Sequence, residues 1–312
     1  MTQFAFFNGK IVPIAEAHVS VMTHGLNYGT GCFGGIRGYW NAEQQQLYVF
    51  RILDHYRRFL HSAKLLMMDL GHSAEDLAEI TVDLLSREAW TEDCYVRPLA
   101  YKATEGIGVK LHGLADGLTI FSVPMGNYLP IEYGIHLGTS SWRRVDDTAI
   151  PARGKISGSY ANSALIKSEA QLNGFDDALV LNQDGHVSEA SAANFMMVRN
   201  GKLITPSISD NVLEGITRSA ILQLAREQLG LPVEERPIDR SEVYAADEVL
   251  LCGTGVQISP VTAVDHRTIG DGKIGPVVRE LQRLFFRVVR GEEDAYRAWL
   301  TPIRVGVTGH RR

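Results

Sequence analysis

The stretch IPARGKISGSYANSALI, residues 150–166, contains a single lysine. Small residues flank it, and a helical pattern of apolar residues follows. Lys155 stands among glycines and serines, and apolar residues recur at helical spacing from about Tyr160 onward. A lysine in a loop is usually a solvated charge on a flexible stem. Solvation gives no reason for the small neighbours, so Lys155 is the first candidate for a functional side chain.

The composition is that of an ordinary globular protein. The chain has 312 residues, of which 45% are hydrophobic and 21% charged, enough for a sizeable core in one large or two medium domains. A formal net charge of −5 argues against nucleic acid or an anionic membrane as the main partner. Three widely spaced cysteines favour reduced thiols over a disulfide framework. With no secretion-signal pattern at the start and no apolar run near the roughly 20 residues of a membrane helix, a soluble cytoplasmic protein is expected.

Local patterns along the chain mix strands with helices. FAFFNGKIV, residues 4–12, is two apolar runs around Asn-Gly, the strongest short hairpin signal. An amphipathic helix is predicted from Leu53 to an end at Gly71, and further helices over 75–90, 160–172 and 216–230. Because strands and helices do not alternate in a regular βαβ order, the sequence predicts an α+β fold.

The best linker candidate is GNYLPIEYG, residues 126–134, with a glycine at each end and a proline inside. No internal repeat or low-complexity segment is present. The predicted organisation is a small N-terminal α+β domain over 1–127, a linker over 128–135 and a larger domain over 136–312 that carries Lys155.

Two glycine-containing matches to nucleotide-binding motifs lack the required context. GTGCFG, residues 29–34, fits the G-x-G-x-x-G fingerprint, and Asp54 lies about 20 residues further on. The preceding residues do not read as a buried strand and no apolar-periodic helix opens at Gly34, so a nicotinamide oxidoreductase is a weak alternative. GKIS at Lys155 has Ile156 where a phosphate loop needs Ser or Thr. The ten histidines show no zinc-site spacing, and no metal is expected.

Tyr95 and Arg97 are two residues apart in a predicted strand, so both side chains point to one face. An arginine beside a phenol suits the capture of a carboxylate. An edge strand with a structural ion pair explains the same pattern, and from the residues alone that interpretation is favoured.

Two further segments offer backbone N–H groups to an anion. GITR, residues 215–218, opens a helix, and GTG, residues 253–255, is a turn after a strand. Most capped helix starts bind only water, so neither segment is decisive by itself. Together with a secluded lysine they fit an anion-bearing cofactor attached to an amine.

Seven ordered blocks resemble those of the class IV pyridoxal-phosphate aminotransferases, and most of all the branched-chain amino acid aminotransferases. The blocks are HGLNYGTGCFGGIRGY, VFRILDHYRRFLHSAK, YVRPL, SSW with IPARGKISGSYANS, GHVSEASAANFM, LEGITRSAI and CGTGVQISPV. The resemblance runs from the first hairpin to about Phe286, nearly the whole chain. It implies the two-domain fold of this family and transfer of the amino group of leucine, isoleucine or valine to 2-oxoglutarate.

The resemblance implies that pyridoxal 5′-phosphate is the cofactor and that Lys155 forms the internal Schiff base with it. Tyr160 would hydrogen-bond the phenolic oxygen of the ring, and Glu189 would keep the pyridine nitrogen protonated so that the ring accepts carbanion electrons. The phosphate would be bound by Arg58, Ile216, Thr217 and Thr254. Only the resemblance separates Arg58 from the other arginines near it in the sequence.

By the same resemblance, aromatic and arginine side chains line the substrate pocket. They are Tyr28, Phe33, Arg37, Tyr95, Arg97 and Tyr128, with the N–H groups of Thr254 and Gly255 facing the substrate α-carboxylate. The resemblance further implies a homodimer or a multiple of dimers, in which residues of one subunit complete the pocket of the other. Small amino and 2-oxo acids are the expected partners, with no nucleic acid and no membrane.

Two positions depart from the family pattern. The family usually reads F-E-G-I-R, but Gly34 stands here in place of the acid, and Met125 stands near the linker where an aromatic residue is common. Gly34 leaves open a side activity on (R)-amines. An (R)-amine or D-amino acid transaminase and an aminodeoxychorismate lyase are the alternatives within the family, although Tyr95 and Arg97 favour the branched-chain function. A cofactor-binding protein without catalytic activity is the alternative outside it.

Overall fold

The structure, a computed structural model, describes residues 3–127, 129 and 131–304. These residues form two compact units. The first unit takes in the described residues up to Gly126, the short segment 154–158 and the residues from Arg287 onward, and the second takes in the rest. The predicted range 136–312 assigned Lys155 to the second domain, whereas its segment packs with the first unit. The chain returns there because Ile156 forms an antiparallel bridge with Cys32.

The strands and helices are as follows, in chain order within each type. The strands are β1 (Phe4–Phe7), β2 (Lys10–Pro13), β3 (Gly31–Phe33), β4 (Ile36–Asn41), β5 (Gln46–Phe50), β6 (Cys94–Lys102), β7 (Asp116–Pro124), β8 (Ile135–Thr139), β9 (Asp177–Leu181), β10 (Val187–Glu189), β11 (Asn194–Arg199), β12 (Lys202–Thr205), β13 (Val233–Glu235), β14 (Glu248–Gly253), β15 (Gln257–Val264), β16 (Arg267–Thr268) and β17 (Leu300–Ile303). The helices are α1 (His24–Tyr28), α2 (Ile52–Leu65), α3 (Ala74–Glu88), α4 (Tyr160–Leu172), α5 (Ile216–Leu229), α6 (Arg240–Val243) and α7 (Pro276–Val289). Short 3₁₀ turns lie at Ile14–Glu16, Ser157–Ser159 and Asp294–Trp299.

The sheet of the first unit is antiparallel and has the strand order β17-β5-β4-β6-β7-β1-β2, with β3 also paired to β6. The predicted hairpin at its edge is confirmed, because Phe7 pairs with Lys10 and the two turn residues, Asn8 and Gly9, have φ values of 45° and 92°. Positive φ at both positions matches the twist of the flanking strands. Strand β6, which carries Tyr95 and Arg97, lies in the middle of this sheet and not at an edge.

The sheet of the second unit closes on itself. Strands β10, β9, β8, β15, β14 and β11 pair in succession, and β11 pairs back to β10. The pairs of β8 with β9 and with β15 are parallel, and the other pairs of this ring are antiparallel. A buried apolar cluster that includes Leu179, Phe195 and Leu251 packs these strands together. The mixture of helices with these sheets confirms the α+β class.

Helix α2 ends earlier than the sequence predicts, at Leu65 and not at Gly71. Met67 adopts a left-handed conformation with φ 55°, and its carbonyl accepts a hydrogen bond from Nζ of Lys102 at 2.7 Å. That lysine is buried and pairs with Asp116 at 2.8 Å. The helix end is closed locally, since the N–H of Met68 donates to the carbonyl of Ala63 at 3.0 Å, and Lys102 adds a contact from far along the chain. The end of α5 is as predicted, with Gly230 in the left-handed conformation after the last turn.

The described residues contain neither a membrane-spanning helix nor a disulfide. Among the described residues, no helix is long and apolar enough to span a lipid bilayer. Cys32, Cys94 and Cys252 are buried and form no disulfide. Burial raises the pKa of each thiol to about 12, so none of them is a thiolate nucleophile at neutral pH.

Candidate active site

Lys155 is fixed through its backbone on both sides. Its N–H donates to the hydroxyl oxygen of Ser62 in α2 at 3.0 Å, and its carbonyl accepts from the N–H of Phe33 in β3 at 3.0 Å. Nearby, Gly29 and Gly158 approach so closely that a β-carbon on Gly29 would lie 2.9 Å from the Cα of Gly158. The small residues that surround this lysine in sequence therefore permit close backbone packing. As a result, the amine projects from a rigid support, with Nζ 5.2 Å from the ring centre of Phe33.

One face of α2 lies beside this lysine. Ser62 is fully buried and also donates to the carbonyl of Arg58 at 2.9 Å. His55, one turn before Arg58, is 2% exposed. Burial, together with the positive charges of Arg58, Lys155 and Arg51, holds the pKa of His55 well below its usual range. His55 is therefore a neutral imidazole in a positively charged environment.

Tyr95, Arg97 and Phe33 form a second cluster in the first unit. As the two-residue spacing predicts, Tyr95 and Arg97 share a face of β6, with Nη2 of Arg97 3.2 Å from the phenolic oxygen. The guanidinium carbon of Arg97 lies 4.5 Å from the ring centre of Phe33. Nε of Arg97 is buried and has no hydrogen-bond partner among the described residues. No carboxylate of the described residues forms an ion pair with this side chain. The edge-strand ion pair favoured from the residues alone is therefore wrong.

Arg37 has a different setting from Arg97. It is 1% exposed, and Nη2 donates to the carbonyls of Met125 and Gly126 at 2.8 and 2.6 Å. These contacts fix the chain where β7 leads out of the first unit. Its predicted part in substrate binding stays a prediction.

Side chains of β6 pack closely against the two adjacent glycines, Gly34 and Gly35. A β-carbon on Gly34 would lie 2.6 Å from Cγ of Pro98, and one on Gly35 would lie 2.1 Å from the phenolic oxygen of Tyr95. Gly34 therefore does not open an empty space, because Pro98 occupies it. Gly35 lets the Tyr95 hydroxyl reach the backbone.

Glu189 is the buried carboxylate of the second unit, at 3% exposure in β10. Its Oε1 accepts from the backbone N–H of Leu213 and from Nδ2 of Asn194, the latter at 3.3 Å. Its Oε2 lies 3.7 Å from Nη2 of Arg144. Glu189 is therefore held in place from both of its carboxylate oxygens, next to the guanidinium of Arg144.

The N-terminus of α5 follows Gly215, which has no capping side chain. A β-carbon on Gly215 would lie 2.0 Å from Oδ1 of Asn194, so a larger residue there would displace the Asn194 side chain. The first N–H groups of the helix, including those of Ile216 and Thr217, have no partner inside the helix and suit an anion. The GTG segment is the turn between β14 and β15, as predicted.

The predicted site residues fall in both units. The first unit holds Tyr28, Phe33, Arg37, Arg58, Tyr95, Arg97 and Lys155, and the second holds Tyr160, Glu189, Ile216, Thr217, Thr254 and Gly255. Tyr128 lies outside the described residues. Sequence reasoning missed His55, Ser62, Arg144 and Asn194. Asn194 could have been found, because it faces Glu189 across the β10–β11 pair of a short hairpin.

The surroundings of GTGCFG exclude the dinucleotide-binding interpretation. Residues 29–34 follow the short helix α1 and run into β3, whereas the fingerprint needs a strand before and a helix after. The nicotinamide oxidoreductase alternative is therefore wrong.

The family model described as amino-transferase class IV matches residues 31–264. The chain belongs to the class IV aminotransferases. This confirms the resemblance seen in the sequence and excludes a non-catalytic cofactor-binding protein.

Relatives of this aminotransferase match it over nearly their whole lengths. A probable branched-chain-amino-acid aminotransferase of Aquifex aeolicus is 48% identical over 300 residues, or 96% of each chain. The branched-chain-amino-acid aminotransferase of Salmonella typhimurium is 36% identical over 304 residues, covering 96% of this chain and 97% of the relative.

Solved structures agree with the sequence relatives. A branched-chain aminotransferase of Thermoproteus uzoniensis with norvaline superposes with a TM-score of 0.93 at 39% identity, over 97% of this chain and 100% of the other. The branched-chain amino acid aminotransferase of Thermobaculum terrenum in its PLP-form also gives 0.93, at 38% identity, over 97% of this chain and 98% of the other. These likenesses confirm the predicted fold of the family.

The cofactor of class IV aminotransferases is pyridoxal 5′-phosphate. This aminotransferase has the groups that such a cofactor needs. The first unit offers a rigidly supported lysine, and the second unit offers a buried carboxylate and an uncapped helix start, which are groups of the kinds that this cofactor uses. In addition, the buried Nδ1 of His55 has no hydrogen-bond partner among the described residues. The side chains present fit the cofactor.

Proposed function

We propose that this aminotransferase transfers the amino group of leucine, isoleucine or valine to 2-oxoglutarate. The observation that carries the proposal is that Lys155 and Arg97 both lie beside the ring of Phe33. Nζ of Lys155 is 5.2 Å from the ring centre, and the guanidinium carbon of Arg97 is 4.5 Å from it. The ring offers an apolar surface to an aliphatic side chain. The guanidinium offers a charge to the second carboxylate of glutamate or 2-oxoglutarate, which an apolar pocket alone could not hold. The names of the relatives support the same substrates.

Each residue has a role that follows from its chemistry. Pyridoxal phosphate, when bound, supplies an electron sink for the carbanion formed at the substrate α-carbon. Lys155 would hold the cofactor covalently, and once the substrate has displaced it, its free amine would act as the base for the substrate α-proton. Glu189 would keep the pyridine nitrogen protonated, and Tyr160 would donate a hydrogen bond to the phenolic oxygen.

The remaining predicted residues bind the ends of cofactor and substrate. Arg58 contributes charge to the phosphate, while Ile216, Thr217 and Thr254 contribute N–H and hydroxyl donors. Thr254 and Gly255 hold the substrate α-carboxylate. The pocket around the substrate side chain is assigned to Tyr28, Phe33, Arg37, Tyr95, Arg97 and Tyr128.

Replacing Lys155 with alanine tests the proposal. Lys155→Ala protein should lose the yellow absorbance of the bound cofactor and nearly all transamination, while Lys64→Ala, at an exposed lysine of α2, should keep both. Borohydride reduction of the wild type should attach the cofactor to the peptide that contains residue 155. Label on any other lysine contradicts the assignment.

A donor panel separates the alternatives within the family. L-leucine, L-isoleucine and L-valine should react with 2-oxoglutarate far faster than D-amino acids or (R)-amines. Faster reaction of an (R)-amine, or release of pyruvate from aminodeoxychorismate, would assign the chain to one of the other activities of this fold.

An exposed apolar surface supports a homodimer or a multiple of dimers. The segment 19–26 and the loop that carries residue 107 are joined by a hydrogen bond from the N–H of Gly106 to the carbonyl of Met22 at 3.2 Å. The side chains they expose are Val19, Val21, Met22, Leu26, Ile107 and Val109. Ile107 is 88% exposed, and a second copy of the chain would cover it. Light scattering should show a lower mass for Ile107→Glu, but not for Leu172→Glu, which alters an equally exposed apolar residue of α4.

A further inference from the structure

His55 contains a buried nitrogen that nothing in the described protein satisfies. The side chain is 2% exposed, and Nδ1 has no hydrogen-bond partner among the described residues. Buried polar atoms are nearly always hydrogen-bonded, because an unpartnered one keeps the full cost of its lost hydration. We therefore expect Nδ1 of His55 to find its hydrogen-bond partner in a bound ligand.

The position of His55 indicates where that partner lies. His55, Arg58 and Ser62 are spaced by three and four residues, so they share one face of α2. Ser62 at one end of this row holds the backbone of Lys155. His55 is thus placed beside the residues to which the proposed function assigns the cofactor.

The charges around His55 indicate what kind of partner it takes. Burial, followed by the positive charges of Arg58, Lys155 and Arg51, lowers the pKa of the imidazole and keeps it neutral. A neutral imidazole still carries one N–H donor. A donor surrounded by cations suits an anion, since it adds a hydrogen bond without adding to the cost of burying another positive charge.

We propose that His55 is a positioning residue that donates from Nδ1 to the phosphate group of pyridoxal phosphate, beside Arg58. The inference rests on the proposed function, which assigns that phosphate to Arg58. This role can be told apart from simple packing, because the contribution of His55 to binding should require the phosphate and not the rest of the cofactor.

Comparison of two ligands tests the role. Full-length protein freed of cofactor would be titrated with pyridoxal phosphate and with pyridoxal, which lacks the phosphate. His55→Phe fills the same space without the donor and should weaken pyridoxal phosphate binding by roughly ten- to hundredfold. Its affinity for pyridoxal should be unchanged. His55→Asn places an amide N–H near the position of Nδ1 and should recover most of the lost affinity. His61→Phe, an exposed histidine of the same helix, is the matched control and should change neither affinity.

Two results would overturn the proposal. Equal losses for both ligands would mean that His55 only packs, and unchanged affinity for pyridoxal phosphate would mean that the phosphate does not need it. If His55→Phe fails to fold, the imidazole nitrogen spectrum of ¹⁵N-labelled wild type decides the matter. The His55 signal is identified as the one missing from the spectrum of His55→Asn protein. It should shift when pyridoxal phosphate is added but not when pyridoxal is added. An equal response to both ligands would contradict the proposal. Failure of the wild type to bind either ligand with a yellow absorbance would instead overturn the proposed function.

Discussion

The hydroxyl oxygen of Ser62 accepts a hydrogen bond from the backbone N–H of Lys155, with 3.0 Å between the two atoms. Ser62 is fully buried in α2, 93 residues away in sequence. A helix side chain therefore fixes the loop that carries the proposed catalytic amine. A geometry held in this way needs no reorganisation when substrate arrives.

Replacing Ser62 with alanine should loosen this support. The N–H of Lys155 would lose its partner, at a cost of about 1–3 kcal/mol in the free energy of unfolding, and kcat should fall because the amine is less well placed. Denaturant titration and steady-state kinetics measure the two effects. Ser86→Ala is the control, because the Ser86 hydroxyl only donates to a carbonyl of its own helix. A Ser62→Ala enzyme with wild-type kcat would show that the bond serves stability alone.

Replacing Glu189 with glutamine should affect turnover more than cofactor binding. Glutamine keeps the shape of the side chain but removes the charge that keeps a pyridine nitrogen protonated, so kcat should fall on the order of a hundredfold. Glu248→Gln alters another buried glutamate of the second unit, which accepts from the N–H groups of Val277 and Val278. It should lower stability and leave kcat near the wild-type value. Unchanged turnover in Glu189→Gln would count against its assigned role.

Replacing Arg97 with alanine should separate acidic from apolar substrates. Arg97 is half-buried, its Nε has no hydrogen-bond partner among the described residues, and its guanidinium is available to a substrate carboxylate. Loss of a charge-assisted hydrogen bond of about 1.5–3 kcal/mol should raise KM for 2-oxoglutarate and glutamate roughly ten- to hundredfold. KM for leucine, isoleucine and valine should change little. Kinetics of both half-reactions provide the measurement, and equal losses for both substrate classes would make Arg97 structural.

Asp265 should make stability depend on acid pH. Burial alone would raise its pKa, but hydrogen bonds from Thr139, Tyr244 and Arg240 lower it to about 2. Because the folded pKa is below the unfolded value, the stabilisation is present above about pH 4 and is lost as pH falls toward 2. Asp265→Asn should therefore lower the free energy of unfolding at pH 7 by about 2 kcal/mol, with the difference shrinking between pH 4 and pH 2.

Urea titrations at several pH values measure the Asp265 effect. Asp271→Asn is the matched control, because that carboxylate is exposed and its nearest cation, on Lys273, is 3.9 Å away. A difference for Asp265→Asn that stays constant from pH 7 to pH 2 would contradict the expectation.

Local interactions are the features that the sequence predicts well. The turn at Asn8 and Gly9 and the end of α5 at Gly230 need only backbone conformations that these residues favour. The common face of Tyr95 and Arg97 follows from the two-residue period of a strand. The sequence extends α2 too far because Met67 adopts a left-handed conformation, which is uncommon for a residue other than glycine.

The sequence by itself determined the α+β class, the candidate lysine and, through seven ordered motifs, the family and its cofactor. These properties reside in short stretches whose chemistry or spacing can be recognised without knowing what they contact. The tertiary structure alone decided the setting of Lys155 against β3 and α2, the closure of the second sheet, and the neighbours of Glu189 and His55. Those contacts join residues tens of positions apart, and their free energies depend on burial and distance, which the chain acquires only on folding.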